Sequence, residues 1–214
     1  MRTMQCFLFS TLTALTAAAA DDTAARLQSA AAVLNTAMES GHGIQDKISG
    51  ADCVAVIPGF KKVAAVVGAG YGRGFLSCRN GNGWSAPAAV TLESGSLGVQ
   101  FGGESIDIVV LSLDKERRSK LLSDRFAIGS DASAAWGNGK TAHDDPSAKI
   151  LFYGHTKGAF AGFGLDGATL KPDESSNKAL YGKTLANREI VEGGTQTPAV
   201  AQPLIAKLVQ TPNR

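Results

Sequence analysis

Between Asp22 and Met38 apolar side chains recur at Leu27, Ala30, Ala31, Leu34, Ala37 and Met38. That three-and-four spacing lays one stripe along one face of a helix. Gly41-His42-Gly43 interrupts it, and Ile44–Ser49 reads as a short second helix. The period then changes. Cys53–Ile57 is a continuous apolar run stopped by Pro58-Gly59, the signature of a buried strand. Further extended segments are expected at Val63–Cys78, Trp84–Glu93, Ser96–Gly103 and Ser105–Leu113, separated by Gly-, Asn- and Ser-rich turns. Connections this short suit antiparallel neighbours. Asp114 can cap a helix over Lys115–Ser123 whose Leu121 and Leu122 face the core. An extended piece follows at Ala127–Trp136. Asp145-Pro146 predicts a helix through Tyr153, with proline at its first position. Gly158–Leu165 and Ala168–Leu170 read as a hairpin about Asp166-Gly167. A last helix runs from Pro198 to Gln210 on Val200, Leu204, Ile205 and Leu208. The pattern predicts an α+β fold: a single domain with a curled antiparallel β-sheet or partial barrel, flanked by N-terminal, middle and C-terminal helices.

Inside the second strand, glycine occupies every other position: Gly68, Gly70, Gly72 and Gly74. Alternate strand residues share a face, so one face is bare backbone and the other carries Ala69, Tyr71, Arg73 and Phe75. Glycine in a strand loses chain entropy and packs nothing, so it marks a sharp bend or a close approach. Either the sheet bends here or something flat lies against it. A dinucleotide-binding Gly-x-Gly-x-x-Gly does not fit, because the third position falls on Arg73 or Phe75 and no helix follows.

The amino terminus changes the picture of where the chain works. Arg2, the apolar Cys6–Leu15 and Ala18-Ala19-Ala20 before Asp21 form the pattern of a secretory signal peptide over residues 1–20. The expected mature domain is 21–214, exported to a periplasmic or extracellular location. Removing the leader removes one of the 21 basic residues, Arg2, leaving 20 against 19 acidic. A net charge of +1 argues against nucleic-acid binding, which needs a basic stripe to displace phosphate counterions. Cys53 and Cys78 remain. In an oxidising compartment they are a disulfide candidate, the alternative being two buried thiols.

Catalytic constellations are absent from the sequence pattern. His42, His143 and His155 are isolated, without metal-ligand spacing, and no Gly-x-Ser-x-Gly elbow occurs. His143-Asp144-Asp145 reads as a solvated loop that caps the following helix rather than a metal site. Asp107, in the apolar Ile106–Leu111, reads as a structural carboxylate bonded to a partner at a strand start. The expectation is a protein with no cofactor and no enzymatic activity.

Six pieces in order carry a family resemblance. They are Cys53–Pro58; Tyr71–Gly74 with Ser77-Cys78-Arg79; Gly83–Pro87; Gly98–Gly103 with Asp107–Val110; Leu121–Phe126; and Phe160–Leu170. Together they resemble the SYLF domain family from about Leu27 to the end of the chain. In eukaryotes this family resembles a phosphoinositide- and membrane-binding module, found beside SH3 or FYVE domains and linked to actin-patch proteins. The leader makes this chain similar to an exported bacterial branch. Lipid binding in the eukaryotic members is attributed to an amino-terminal amphipathic helix with a basic face. Here the corresponding helix carries Asp21, Asp22, Arg26 and Glu39 above an alanine-rich face, and is expected to pack on the sheet. The expected function is a non-enzymatic envelope or secreted module that binds lipid, a membrane surface or anionic head groups. Lys61 and Lys62, in the loop after Pro58-Gly59, and Arg73 are the candidate contacts. The alternative is a structural or protein-interaction domain with no small ligand.

Overall fold

The computed structural model describes residues 10–40, 43–64, 67–97, 102–128, 132–136, 150–156 and 167–210. Helix α1 spans Ser10–Glu39, starting well before the expected Asp22, and α2 spans Ile44–Ser49. The strands are β1 Cys53–Ala64, β2 Val67–Asn80, β3 Gly83–Trp84, β4 Ala88–Leu97 and β5 Gly102–Ser112. A 3-10 turn, Lys115–Arg117, leads into α3 Arg118–Leu121. Strands β6 Phe126–Ala127, β7 Ala132–Trp136, β8 Ile150–Thr156 and β9 Thr169–Pro172 follow. Helices α4 Glu174–Tyr181, α5 Asn187–Glu192 and α6 Gln202–Val209 close the chain.

Among the described residues, one sheet runs β6-β9-β4-β2-β1-β5-β8-β7, with β3 paired to β2. It is a curled antiparallel sheet with a single parallel pair, β7 on β8. Strand alternation gives it two apolar faces. Ala55, Ile57, Leu76, Leu92, Ile106 and Ile108 fill the inner one, with Phe126, Leu170 and Ile190. Val54, Val56, Phe75, Val109 and Leu111 form the outer one, covered by Leu27, Ala30 and Leu34 of α1 and Leu204 and Leu208 of α6. The Trp84 indole N–H donates to the Leu208 carbonyl at 3.0 Å and fastens α6 to the sheet.

Several expectations are corrected. Strand β1 does not end at Pro58-Gly59 but continues to Ala64, so Lys61 and Lys62 lie on a strand, not in a loop. The separate strand expected at Ser96–Gly103 is divided between the ends of β4 and β5. Ile150–Tyr153 is the start of strand β8, not the end of a helix. Its pattern has period two, with Ile150 and Phe152 in the inner core and Tyr153 in the outer one. The Asp145-Pro146 signal, the His143-Asp144-Asp145 loop and most of the 158–170 hairpin lie outside the described residues. Helices α4 and α5 were not anticipated. A buried amide network ties them to β4: Asn177 accepts from the Ala89 N–H at 2.7 Å and donates to Asn187 at 2.7 Å.

The glycine alternation has a physical occupant. Gly70, Gly72 and Gly74 face the inner core, where a Cβ on any of them would overlap β1. Phe60 and Ile57 lie against the bare backbone of Gly70 and Gly72, and the Val56 carbonyl against that of Gly74. The sheet bends and the flat object on it is Phe60.

Candidate cleft on the outer face

The bend is organised by a β-bulge. Ile57 pairs with Ile108 and Phe60 with Ile106, so Pro58 and Gly59 together oppose Asp107 alone. Gly59 has φ +60, a conformation that L side chains rarely adopt, and its N–H donates to Asp107 Oδ1 at 2.8 Å. Asp107 is therefore a structural carboxylate holding the bulge. An extra residue in one strand flips the faces of everything beyond it. Before the bulge the odd-numbered Ile57 points inward. After it the even-numbered Phe60 does, and Lys61 is delivered to the outer face opposite Tyr71.

Lys61 lines a cleft of about 870 Å³ between α1 and the outer sheet face. Asp22, Arg26 and Ser29 of α1 form one wall, and Tyr71, Arg73 and His155 stand on the other. His155 is paired in register with Asp107. Tyr71 is 52% exposed, one of three large exposed apolar side chains among the described residues.

The sequence-predicted site residues fall differently in this geometry. Lys61 is exposed and has no ion-pair partner among the described residues. Lys62 takes the adjacent register position, opposite Gly70 and Glu104, and its side chain lies outside the described residues. Arg73 lines the cleft but its charge is engaged. Its Nε donates to Asp173 Oδ2 at 2.6 Å, its Nη2 to Ser176 Oγ at 2.7 Å, and Asp22 lies 3.7 Å away. The Asp173 hydrogen bond raises the Arg73 pKa above its usual value. Burial alone would raise that of Asp173. Hydrogen bonds from Arg73, Ser175 and Ser176 outweigh burial and hold it at about 2.

Sequence reasoning missed Asp173, the hub of this network. It caps α4 by accepting from the Ser176 N–H at 3.1 Å, and Arg26 of α1 bonds Ser176 Oγ at 3.0 Å. Arg26 also pairs with Asp22 one turn earlier. One buried carboxylate thus joins α1, β2 and α4. The available signal was Asp173 directly after Pro172 and three residues before Ser176, a helix-capping pattern.

At the far end of β1, Cys53 and Cys78 sit directly opposite each other and are bridged, both fully buried. The bridge ties the start of β1 to the end of β2 within the inner core.

Among the described residues no cluster of three or more His, Cys, Asp or Glu side chains could hold a metal ion. No described helix is long and apolar enough to cross a membrane.

Comparison with known proteins identifies the family of the chain. The family model described as "Ysc84: Las17-binding protein actin regulator" matches residues 93–211, more than half of the chain. An SH3 domain-containing protein of Schizosaccharomyces pombe is 31% identical over 147 residues, covering 62% of this chain and 33% of that protein. Protein YSC84 of Saccharomyces cerevisiae is 28% identical over 143 residues, covering 63% and 31%. Human SH3 domain-containing YSC84-like protein 1 is 28% identical over 172 residues, covering 74% and 50%. This chain spans about a third to a half of the length of these relatives. No solved structure matches. The chain belongs to the Ysc84, or SYLF, family.

Proposed function

We propose that this protein is a non-enzymatic module of the cell envelope or the secreted fraction that binds lipid or anionic head groups at the outer-face cleft. The observation carrying this reading is the pairing of Lys61, an ammonium without an ion-pair partner among the described residues, with the exposed Tyr71 directly across the strand pair. Lysine stems and tyrosine rings both lie along apolar surface while keeping a polar tip in water. That combination suits the boundary between head groups and acyl chains. Arg73 contributes position more than charge, because Asp173 and Asp22 already compensate it. Export follows from the leader pattern, and a mature mass that retains Met1 would oppose it.

Vesicle flotation tests the reading. The parent should float with vesicles containing phosphatidylserine and stay behind with phosphatidylcholine alone. Juxtamembrane basic residues contribute ~1 kcal/mol each near an anionic surface. Lys61→Ala should therefore weaken binding by about 1 kcal/mol, roughly fivefold, most visibly at low salt. Undiminished flotation of that variant would overturn the cleft assignment.

The family description, a Las17-binding actin regulator, favours a second reading: a protein-interaction domain with no small ligand. A defined protein complex from a protein that floats with neither vesicle would support it.

A further inference from the structure

A second basic site lies at the opposite end of β1, roughly 25 Å along the strand from Lys61 at ~3.3 Å per residue. It is a pocket of about 640 Å³, between the α2–β1 connection, the β2–β3 turn at Gly81 and the segment from Leu113 to Arg118. Three cations line it, Arg79, Lys115 and Arg118, with one carboxylate, Asp52. The lining charge is therefore +2.

That single carboxylate is saturated. Arg118 grips it with two parallel bonds, Nε to Oδ2 at 2.9 Å and Nη2 to Oδ1 at 2.5 Å, and the Asp52 side chain is only 2% exposed. Asp52 also acts at longer range on Arg79, and Glu192 of α5 acts on Arg118. Backbone carbonyls hold Arg79 in place. Its Nε and Nη2 donate to Ala51, Ile48 and Ser49 carbonyls at 3.1–3.3 Å, and its guanidinium lies 4.2 Å over the Trp84 ring. Burial lowers the Arg79 pKa, and Asp52 opposes that shift. Lys115 is exposed at the rim and has no ion-pair partner among the described residues. Arg117 beside it faces Asp114, so it does not add to the pocket. Two guanidiniums held by the fold and one adaptable ammonium form a preorganised set of cationic donors for an oxyanion.

We propose that this pocket is an anion site for a phosphate group, separate from the cleft and independent of the function assigned to it. Lys115 supplies the mobile contact, and Arg118 and Arg79 supply the fixed field. The group can belong to free phosphate or to a phosphomonoester lipid head group.

Calorimetric titration of the full chain with inorganic phosphate at low ionic strength, in a zwitterionic buffer, tests the site. Saturable one-to-one binding is expected. A charge-assisted hydrogen bond is worth enough to predict at least a tenfold loss in Lys115→Ala, whose exposed position leaves folding intact. Lys61→Ala should bind phosphate like the parent. Vesicles containing phosphatidic acid distinguish the source. Competition between those vesicles and free phosphate, lost in Lys115→Ala, assigns the lipid head group; phosphate binding that vesicles do not affect assigns the free ion. No saturable phosphate binding by the parent, or undiminished binding by Lys115→Ala, would overturn the site. Loss of phosphate binding in Lys61→Ala alone would overturn it in favour of the cleft.

Discussion

Adding one methyl group at Gly74 should be among the most damaging small changes available to this fold. A Cβ there would overlap the Val56 carbonyl oxygen and lie 2.8 Å from Ile57 Cα. Both are backbone of the neighbouring strand, so no rotamer change can make room. At Gly72 the Cβ would meet Ile57 Cγ2 at 2.6 Å and Phe60 Cδ2 at 2.9 Å. At Gly70 it would overlap the ring tip of the fully buried Phe60 and the Ser94 hydroxyl, side-chain atoms that yield more readily than paired backbone. Gly95, by contrast, has nothing within 4 Å and no positive φ. Overpacking that side chains can absorb costs ~1–3 kcal/mol. A displacement of two paired backbones costs more, a large share of the ~5–15 kcal/mol that holds a domain together. The expected order of destabilisation for alanine substitution is therefore Gly74, then Gly72, then Gly70. Gly95→Ala should be neutral, or stabilising by up to ~1 kcal/mol through the unfolded chain. Urea unfolding followed by far-ultraviolet circular dichroism reads the order from the midpoints. A Gly70→Ala variant paired with Phe60→Leu should recover part of its loss, since the two positions touch. Gly74→Ala with the parent's midpoint would refute the close-approach reasoning, as would Gly95→Ala falling below all three.

Asp173 should give the fold a specific acid sensitivity. Its folded pKa, about 2, lies below the ordinary 3.8, so its contribution is complete above about pH 4 and is lost as pH falls through 2. The shift corresponds to about 2 kcal/mol, and Asp173→Asn should abolish that part of the pH dependence between pH 4 and 2 in unfolding titrations. The Cys53–Cys78 bridge closes a separation of 25 residues and should contribute roughly 3 kcal/mol. A paired Cys53→Ser, Cys78→Ser variant with an unchanged unfolding midpoint would remove that assignment.

Much of the fold was legible because the residues concerned answer to local rules. The stripe Leu27–Ala30–Leu34 appears as the buried face of α1, and Leu204–Leu208 as that of α6. Asp114 caps the turn at Lys115 by accepting from the Glu116 N–H at 2.9 Å. The misread elements are those where a local signal was overruled by pairing partners distant in sequence. Pro58-Gly59 carries the residues of a strand end, yet β2 and β5 flank it on both sides and turn the interruption into a bulge. Ile150–Tyr153 follows a proline that suggests a helix, but β5 offers it a full antiparallel register. Arg73 looks like a free cation in sequence, because the carboxylate that compensates it stands one hundred residues later.

The same two residues, Pro58 and Gly59, connect the bent core to the outer surface. Without the extra residue, β1 would keep its parity, and Phe60 would turn outward while Lys61 entered the inner core. The bulge reverses both. Phe60 then needs space inside, and the glycines of β2 supply it by presenting backbone where side chains would stand. Lys61 arrives outside, beside Tyr71 and under α1. The glycine alternation is thus a packing device on one face that produces a cleft on the other. The cleft's charge is set separately, by Asp173 drawing Arg73 and Arg26 toward α4 and leaving Lys61 as the lysine at the opening. A change that straightens β1 should consequently remove the cleft and the core packing together, whereas changing Lys61 alone should touch only binding.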